Sequence, residues 1–216
     1  GTWLPEQDLT VEDYGTPELE GCPEILVETR PELIARMHAE YLEAGAEVIA
    51  TNTLGRMRAT PGEYGLAERT VELNRMAAAL AREVADRHST PERPRFVAGS
   101  IGPGTRFASL GQVRYAELRD QVAEQARGLL EGGVDLLLIE TQFDLLGIKA
   151  AMNGCRAAME EVGRTVPIQT QVTIELTGRM LPGTEIGAAL VALDAMHPDV
   201  IGINCATGPE EMGEHV

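Results

Sequence analysis

The chain has 216 residues, 34 of them acidic against 18 basic, for a formal net charge of −16. Such a field repels phosphate backbones and anionic lipid surfaces, which sets nucleic-acid and membrane partners aside. No apolar run of about 18 residues and no basic-then-apolar leader occurs, and Cys22, Cys155 and Cys205 show no CxxC or disulfide-rich spacing, a pattern that fits a reducing cytoplasm.

The chain opens on Gly1-Thr2 without a methionine and stops at Val216 just after a helix begins, so both ends read as cut. Residues 1–29 are acidic and rich in turn formers ("EDYGTPELEGCPE"), with no sustained period, and read as a long excursion loop. From Arg30 the pattern changes. "RPELIARMHAEYLEAG" puts Leu33, Ile34, Met37 and Tyr41 on one helical face, with Pro31 near the start and Gly45 just past the end. "AEVIATNT" is a short apolar run with a polar tip, and "GLAERTVELNRMAAALAREVADRH" is a second long amphipathic helix.

The unit then repeats. "RFVAGSIGPGT" is a strand and loop, "YAELRDQVAEQARGLLEGG" a helix, and "VDLLLIETQ" a strand. "FDLLGIKAAMNGCRAAMEEVG" is a helix, "VPIQTQVTI" a strand, "GTEIGAALVALDAM" a helix, and "DVIGINCA" the last strand. Continuous apolar strands separated by helices predict a parallel sheet covered by those helices. No change of composition marks a linker, so residues 1–216 read as one domain. Lys149 is the only lysine; a solvated helix face explains it better than Schiff-base chemistry.

Two α/β architectures fit this rhythm. A doubly wound sheet calls for a phosphate-binding glycine loop after its first strand, and "GSIGPGT" has neither the G-x-G-x-x-G order nor a terminal Gly-Lys-Ser/Thr. The even βα spacing favours a (β/α)8 TIM barrel truncated at both ends, with about strands 2–6 present. Barrels build their sites at the carboxyl ends of the strands. The tips here are Thr51-Asn52-Thr53, Ser100, Glu140-Thr141, Thr173 and Asn204-Cys205, expected to converge on one mouth.

Cys205 has three readings. It is a buried thiol acting as a small hydrophobe, a nucleophile in need of a base, or a metal ligand. None of His38, His88, His197 and His215 stands at a strand tip, and no second Cys or His stands at ligand spacing. The residues leave the choice open.

The stretches "GCPEILVETRPELIARMHAEYLEAGAEVIATNT", "EYGLAER", "FVAGSIGPGT", "DLLLIETQFDLLGIKAA" and "IGINCATGPEEM" resemble the homocysteine-binding barrels of the homocysteine S-methyltransferase family, in its cobalamin-dependent methionine synthase branch. The resemblance runs from Gly1 to Val216. It implies that Cys205 is the first of three cysteines on a catalytic zinc, the other two forming a pair that is not in this chain. It implies that Glu140 holds the homocysteine amino group, and that Gly1-Thr2 is the remnant of a first-strand segment whose aspartate is absent. Ala50 and Leu54 stand where Glu and Phe are common in that family, and Gly104 where Thr is usual.

The chemistry asks for such residues. A free thiol has a pKa of about 8.5, and only its thiolate attacks a methyl group well. Thiolate-bound zinc with one open position takes the substrate sulfur already deprotonated, and a carboxylate fixes the ammonium. Without the resemblance, the lesser alternative for Glu140 is a strand-end carboxylate capping the helix after it. Thr51 and Asn52 either bind the substrate carboxylate or satisfy loop backbone, and Asn204 reads as a brace for the zinc loop. The candidate substrate-binding set is Glu140, Thr51, Asn52, Ser100 and Asn204, with Cys205 as metal ligand. Cys155 reads as helix core and Cys22 as a loop residue.

The implied activity is methyl transfer from methylcobalamin, carried by another module, to zinc-activated homocysteine, giving methionine. Folate- and cobalamin-binding modules of the same polypeptide are the implied partners, with 5-methyltetrahydrofolate as methyl source. The alternatives are a single-domain homocysteine S-methyltransferase using another donor, or a non-catalytic incomplete barrel. The piece alone is expected to be inactive.

Overall fold

The computed structural model describes residues 3–55 and 65–215. The "EYGL" stretch therefore lies partly, and Gly1-Thr2 wholly, outside the described residues. Five strands form one parallel sheet: β1 (Val48–Ala50), β2 (Phe96–Ile101), β3 (Leu136–Gln142), β4 (Ile168–Val172) and β5 (Val200–Ile203). Their spatial order equals their sequence order, with every neighbouring pair parallel. A doubly wound sheet reverses order at a switch point; this one does not. With right-handed crossovers, a sequential parallel order puts every helix on the same side of the sheet, as in the wall of a (β/α)8 barrel.

Five main helices alternate with the strands: α1 (Pro31–Glu43), α2 (Thr70–His88), α3 (Tyr115–Glu131), α4 (Leu145–Val162) and α5 (Ile186–Asp194). Each packs on the next around the outside. The core lies between helices and sheet. Val97, Ile101, Leu137, Ile139, Ile168 and Val172 meet Ala81, Ala126, Leu129, Ile148, Met152 and Cys155. The seams are tight because small residues sit where helices cross. A Cβ on Gly128 would lie 2.4 Å from Val71 O, and one on Gly154 would lie 2.5 Å from Arg119 O. Burial pushes the Cys155 thiol up to about 12, so it is inert core, as its sequence setting implies.

One device recurs at the other ends of the strands. Asp135 Oδ2 accepts the Val97 N–H at 2.7 Å, and Asp199 Oδ2 accepts the Ile168 N–H at 2.8 Å. Each aspartate enters its own strand while fixing the start of the strand before it, which sets register. Among the described residues no helix is long and apolar enough to cross a membrane.

Two expectations need correction. The buried stripe of α1 is Leu33, Ile34, His38 and Leu42; Tyr41 is 49% exposed, and Met37 only half-buried. The buried face is turned by one residue, so that His38 and Leu42 take the places that the apolar reading gave to Met37 and Tyr41. The N-terminal stretch is also no open loop. It runs through short helical turns, including Leu4–Gln7, Val11–Tyr14, Pro23–Ile25 and Leu26–Thr29. Cys22, Ile25 and Val27 pack against Leu73 and Ala77, while Leu26 packs against Leu33 and Ile34. Turns of three or four residues interrupted by Gly15, Pro17, Gly21 and Pro23 carry no period, which is why their burial is invisible to pattern reading.

Candidate functional site

The site begins with an irregularity in β3. Ile139 pairs with Thr170 and Gln142 with Val172, so three steps along β3 oppose two along β4. The extra residue falls at Glu140-Thr141, and a bulge of this kind re-aims side chains at a strand end. Thr141 takes a left-handed backbone, φ 58°, which is unfavourable for a β-branched residue by about 1–3 kcal/mol. Asn204 from the tip of β5 holds it there. Its Oδ1 accepts the Thr141 N–H at 2.9 Å, and its Nδ2 donates to Thr141 Oγ1 at 2.9 Å. Gln142 adds a bond from Nε2 to the Glu140 carbonyl at 3.2 Å.

The Glu140 carboxylate is half-buried. Ser100 Oγ donates to Oε1 at 2.7 Å, and Asn204 Nδ2 approaches Oε2 at 3.3 Å. An ionised carboxylate offers about four lone-pair sites, so acceptor capacity remains for a cation. Glu140 does not cap the following helix. Asp144 does, accepting from Leu146 N at 3.1 Å.

At β5 the Asn204 N–H makes the last rung of the ladder, to Val172 O at 3.1 Å. Cys205 (φ 62°) and Ala206 (φ 58°) then turn left-handed, and the thiol emerges exposed. The buried-hydrophobe reading of Cys205 is thereby removed. Its sulfur lies 3.5 Å from Asn204 Nδ2 and 3.8 Å from Thr141 Oγ1. An amide and a hydroxyl face it, and neither is a general base. Asn204 Nδ2 has two hydrogens for three acceptors (Thr141, Glu140 and Cys205), so it ties the carboxylate and the thiol into one cluster.

The tip of β1 is different. Thr53 Oγ1 donates to Ser100 O at 2.7 Å, which leaves Thr51 Oγ1 to donate to Thr53 across 2.7 Å while accepting Ser100 N–H at 3.0 Å. Both threonines are buried and their hydroxyls are consumed locally. Asn52 donates Nδ2 to Pro23 O at 3.2 Å, tying it to the N-terminal segment. Thr173, at the tip of β4, is buried, and its Oγ1 has no partner among the described residues. The strand tips thus bring Ser100, Glu140, Asn204 and Cys205 together, keep Thr51 one bond behind, and leave Asn52 outside.

Sequence reasoning missed two supporting glutamines. Gln125 on α3 is fully buried and donates Nε2 to Thr53 O at 2.8 Å and Ser100 O at 3.3 Å, linking the first two strand tips. Gln142 braces the bulge. The available signal was Gln121 and Gln125 standing four apart on the face of Leu118, Val122 and Leu129, where an apolar pair would be expected. Among the described residues no group of three or more His, Cys, Asp or Glu side chains could hold a metal ion. The exposed Cys205 thiol fits a single ligand position: a strand tip carries it, and a side-chain N–H points to its sulfur, the usual support for a thiolate.

Comparison with known proteins gives the family and the fold. The homocysteine S-methyltransferase family model matches residues 1–216. The chain is 49% identical over 216 residues to the methionine synthase of Mycobacterium tuberculosis and 47% identical to that of Mycobacterium leprae. All of the chain aligns in both cases, spanning 18% of the length of each relative. Among solved structures, the metallated form of the homocysteine methyltransferase MmuM from Escherichia coli superposes with a TM-score of 0.75 at 23% identity, covering 97% of this chain and 73% of that one. The apo form gives a TM-score of 0.68 at 20% identity; both likenesses establish a shared fold. The chain belongs to the homocysteine S-methyltransferase family.

Proposed function

We propose that residues 1–216 form one homocysteine-binding domain, and that the cluster at the strand tips presents the homocysteine sulfur for methylation to methionine. The observation that carries this reading is Asn204, whose side-chain amide reaches Glu140 Oε2 at 3.3 Å and Cys205 Sγ at 3.5 Å. A carboxylate for an ammonium and a thiol for a metal are thereby held a few ångströms apart, the span of an amino acid with a sulfur at its end. Glu140 pairs with the α-ammonium, using the acceptor sites that Ser100 and Asn204 leave open. Ser100 and Asn204 orient that carboxylate. Thr51 acts one bond back, through Ser100, and Asn52 holds the N-terminal segment.

Cys205 supplies one thiolate to a zinc. Bound zinc would hold the substrate thiol in its thiolate form at neutral pH, where a free thiol of pKa about 8.5 is mostly protonated. The resemblance of "EYGL" and "NCATGPEE" to the cobalamin-dependent branch favours methylcobalamin as donor, delivered by another module of the same polypeptide, with a folate module as the methyl source. The methionine synthases at 49% and 47% identity support that setting. Three cysteines in thiol form fit a cytoplasmic location.

The test is Cys205→Ser in the full-length protein, read by zinc stoichiometry and by methyl transfer to homocysteine. Both are expected to be lost, because a hydroxyl replaces a thiolate in the ligand set. Retention of full zinc content and turnover would remove Cys205 from the metal site.

A further inference from the structure

We propose that Glu24 is a positioning residue for the amino-acid end of this site, acting through the tip of β1; the proposal rests on the homocysteine-binding reading above. Glu24 sits in the Pro23–Ile25 turn of the N-terminal segment, far in sequence from every strand tip, and is 9% exposed. Desolvating a carboxylate is unfavourable unless its oxygens find donors. They do: Oε1 accepts the Gly55 N–H at 2.9 Å, and Oε2 accepts the Cys22 thiol at 3.5 Å. The neighbouring Pro23 carbonyl accepts Asn52 Nδ2 at 3.2 Å. The Cys22–Glu24 turn therefore grips the loop after β1 at two points.

From there a continuous set of short bonds leads to Glu140. Leu54 O accepts Gly102 N–H at 3.0 Å, fixing the gripped loop to the end of β2. Thr51 and Thr53 clasp the Ser100 backbone at 3.0 and 2.7 Å, and Ser100 Oγ donates to Glu140 Oε1 at 2.7 Å. Sterics point the same way. A Cβ on Gly55 would lie 2.6 Å from Glu24 Oε1, and one on Gly102 would lie 2.3 Å from Leu54 O. The residues just after β1 thus pack between a carboxylate and a strand end: the backbone contact at Gly102 demands glycine, whereas a Cβ at Gly55 would displace the Glu24 carboxylate. Releasing Glu24 frees that loop, lets Ser100 shift, and leaves the Glu140 carboxylate less well aimed at an ammonium. Cys205 stands in the turn after β5, outside this path, and keeps its metal.

The test uses the full-length protein with homocysteine and its methyl donor, comparing Glu24→Ala, Gly55→Ala, their double variant and Glu24→Gln. Glu24→Ala removes the acceptor, and Gly55→Ala evicts the carboxylate while leaving it in the chain. Each is expected to raise KM for homocysteine about tenfold, with kcat within about twofold and zinc content unchanged. The double variant should add little, because both changes break one contact. Glu24→Gln keeps an acceptor for the Gly55 N–H and should bring KM back to within about threefold of the starting protein. If Glu24→Ala does not fold, Gly55→Ala and Glu24→Gln still give the split between KM and rescue. Unchanged KM in the alanine variants overturns the proposal, as does a Gln variant no better than Ala or loss of folding in all of them. A starting protein that does not bind homocysteine overturns the underlying reading instead.

Discussion

The two halves of the strand-tip mouth are built differently. On the β1–β2 side, Thr51, Thr53 and the Ser100 backbone are buried, and their hydrogen-bonding groups are spent on one another. On the β3–β5 side, Glu140, Thr141, Asn204 and Cys205 are half-buried or exposed, and Thr141 and Cys205 are in left-handed backbone. The first half is a saturated brace; the second keeps spare acceptors, an accessible thiol and local strain. A polar residue at a barrel strand tip is therefore not by itself a substrate contact. What separates the two kinds is capacity left over once the backbone is served.

The comparison is broken most readily at Glu140. On the proposed function, Glu140→Gln removes a charge-assisted contact to the ammonium, worth about 1.5–3 kcal/mol, or about ten- to a hundredfold in KM for homocysteine. Its shape is kept, so zinc content and thermal midpoint should hold. Zinc loss at unchanged KM would move Glu140 from the substrate's partner to the metal's surroundings.

A second experiment tests whether the β1 side is the one whose stability depends on acid. His38 lies on the buried face of α1, the helix before β1, and desolvation lowers its pKa from 6.5 to about 4. Between those values the unfolded chain binds a proton that the folded chain does not. Stability is therefore complete above the ordinary histidine range and falls as pH drops toward 4. From pH 7 to pH 5 the loss should be about 2 kcal/mol. His38→Leu should flatten that part of the pH profile in urea unfolding. A profile as steep in the variant as in the parent would assign the acid sensitivity to other groups.

The strands, helices and polar tips were legible because each obeys a period or ends one. The apolar runs "VIA", "FVAGSI" and "LLLIE" need two covered faces, and a barrel wall gives one to the helices and the other to its own interior. What escaped were features with no period. The bulge at Glu140-Thr141 depends on pairing with β4, which no local pattern states. The saturation of Thr51 depends on Ser100, 49 residues away, and the grip of Glu24 on Gly55 spans 31. Glu140 and Cys205 were singled out by chemistry and resemblance, whereas Asn204, read as a brace for the zinc loop and a candidate substrate contact, gave no sign of joining the two. A residue's own strand tells what it can offer, and the neighbouring strand decides whether the offer is already taken.

The smallest expected effect checks the brace itself. Thr51 Oγ1 accepts the buried Ser100 N–H at 3.0 Å, so Thr51→Val keeps the shape and leaves that donor without its acceptor. An unpaired buried donor is destabilising by about 1–3 kcal/mol. Here about 1 kcal/mol is expected, because Thr53 Oγ1, at 2.7 Å from the lost oxygen, can move to take part of the load. Thr51→Ser keeps the oxygen and should restore most of that stability. If Thr51 acts through Ser100 rather than on the substrate, as proposed, KM for homocysteine should rise by no more than about threefold in the valine variant, well short of Glu140→Gln. Chemical denaturation and steady-state kinetics on the same preparations separate the outcomes. If Thr51→Val left stability untouched and raised KM as far as Glu140→Gln, the hydroxyl would be a substrate contact, and the two halves of the mouth would be one.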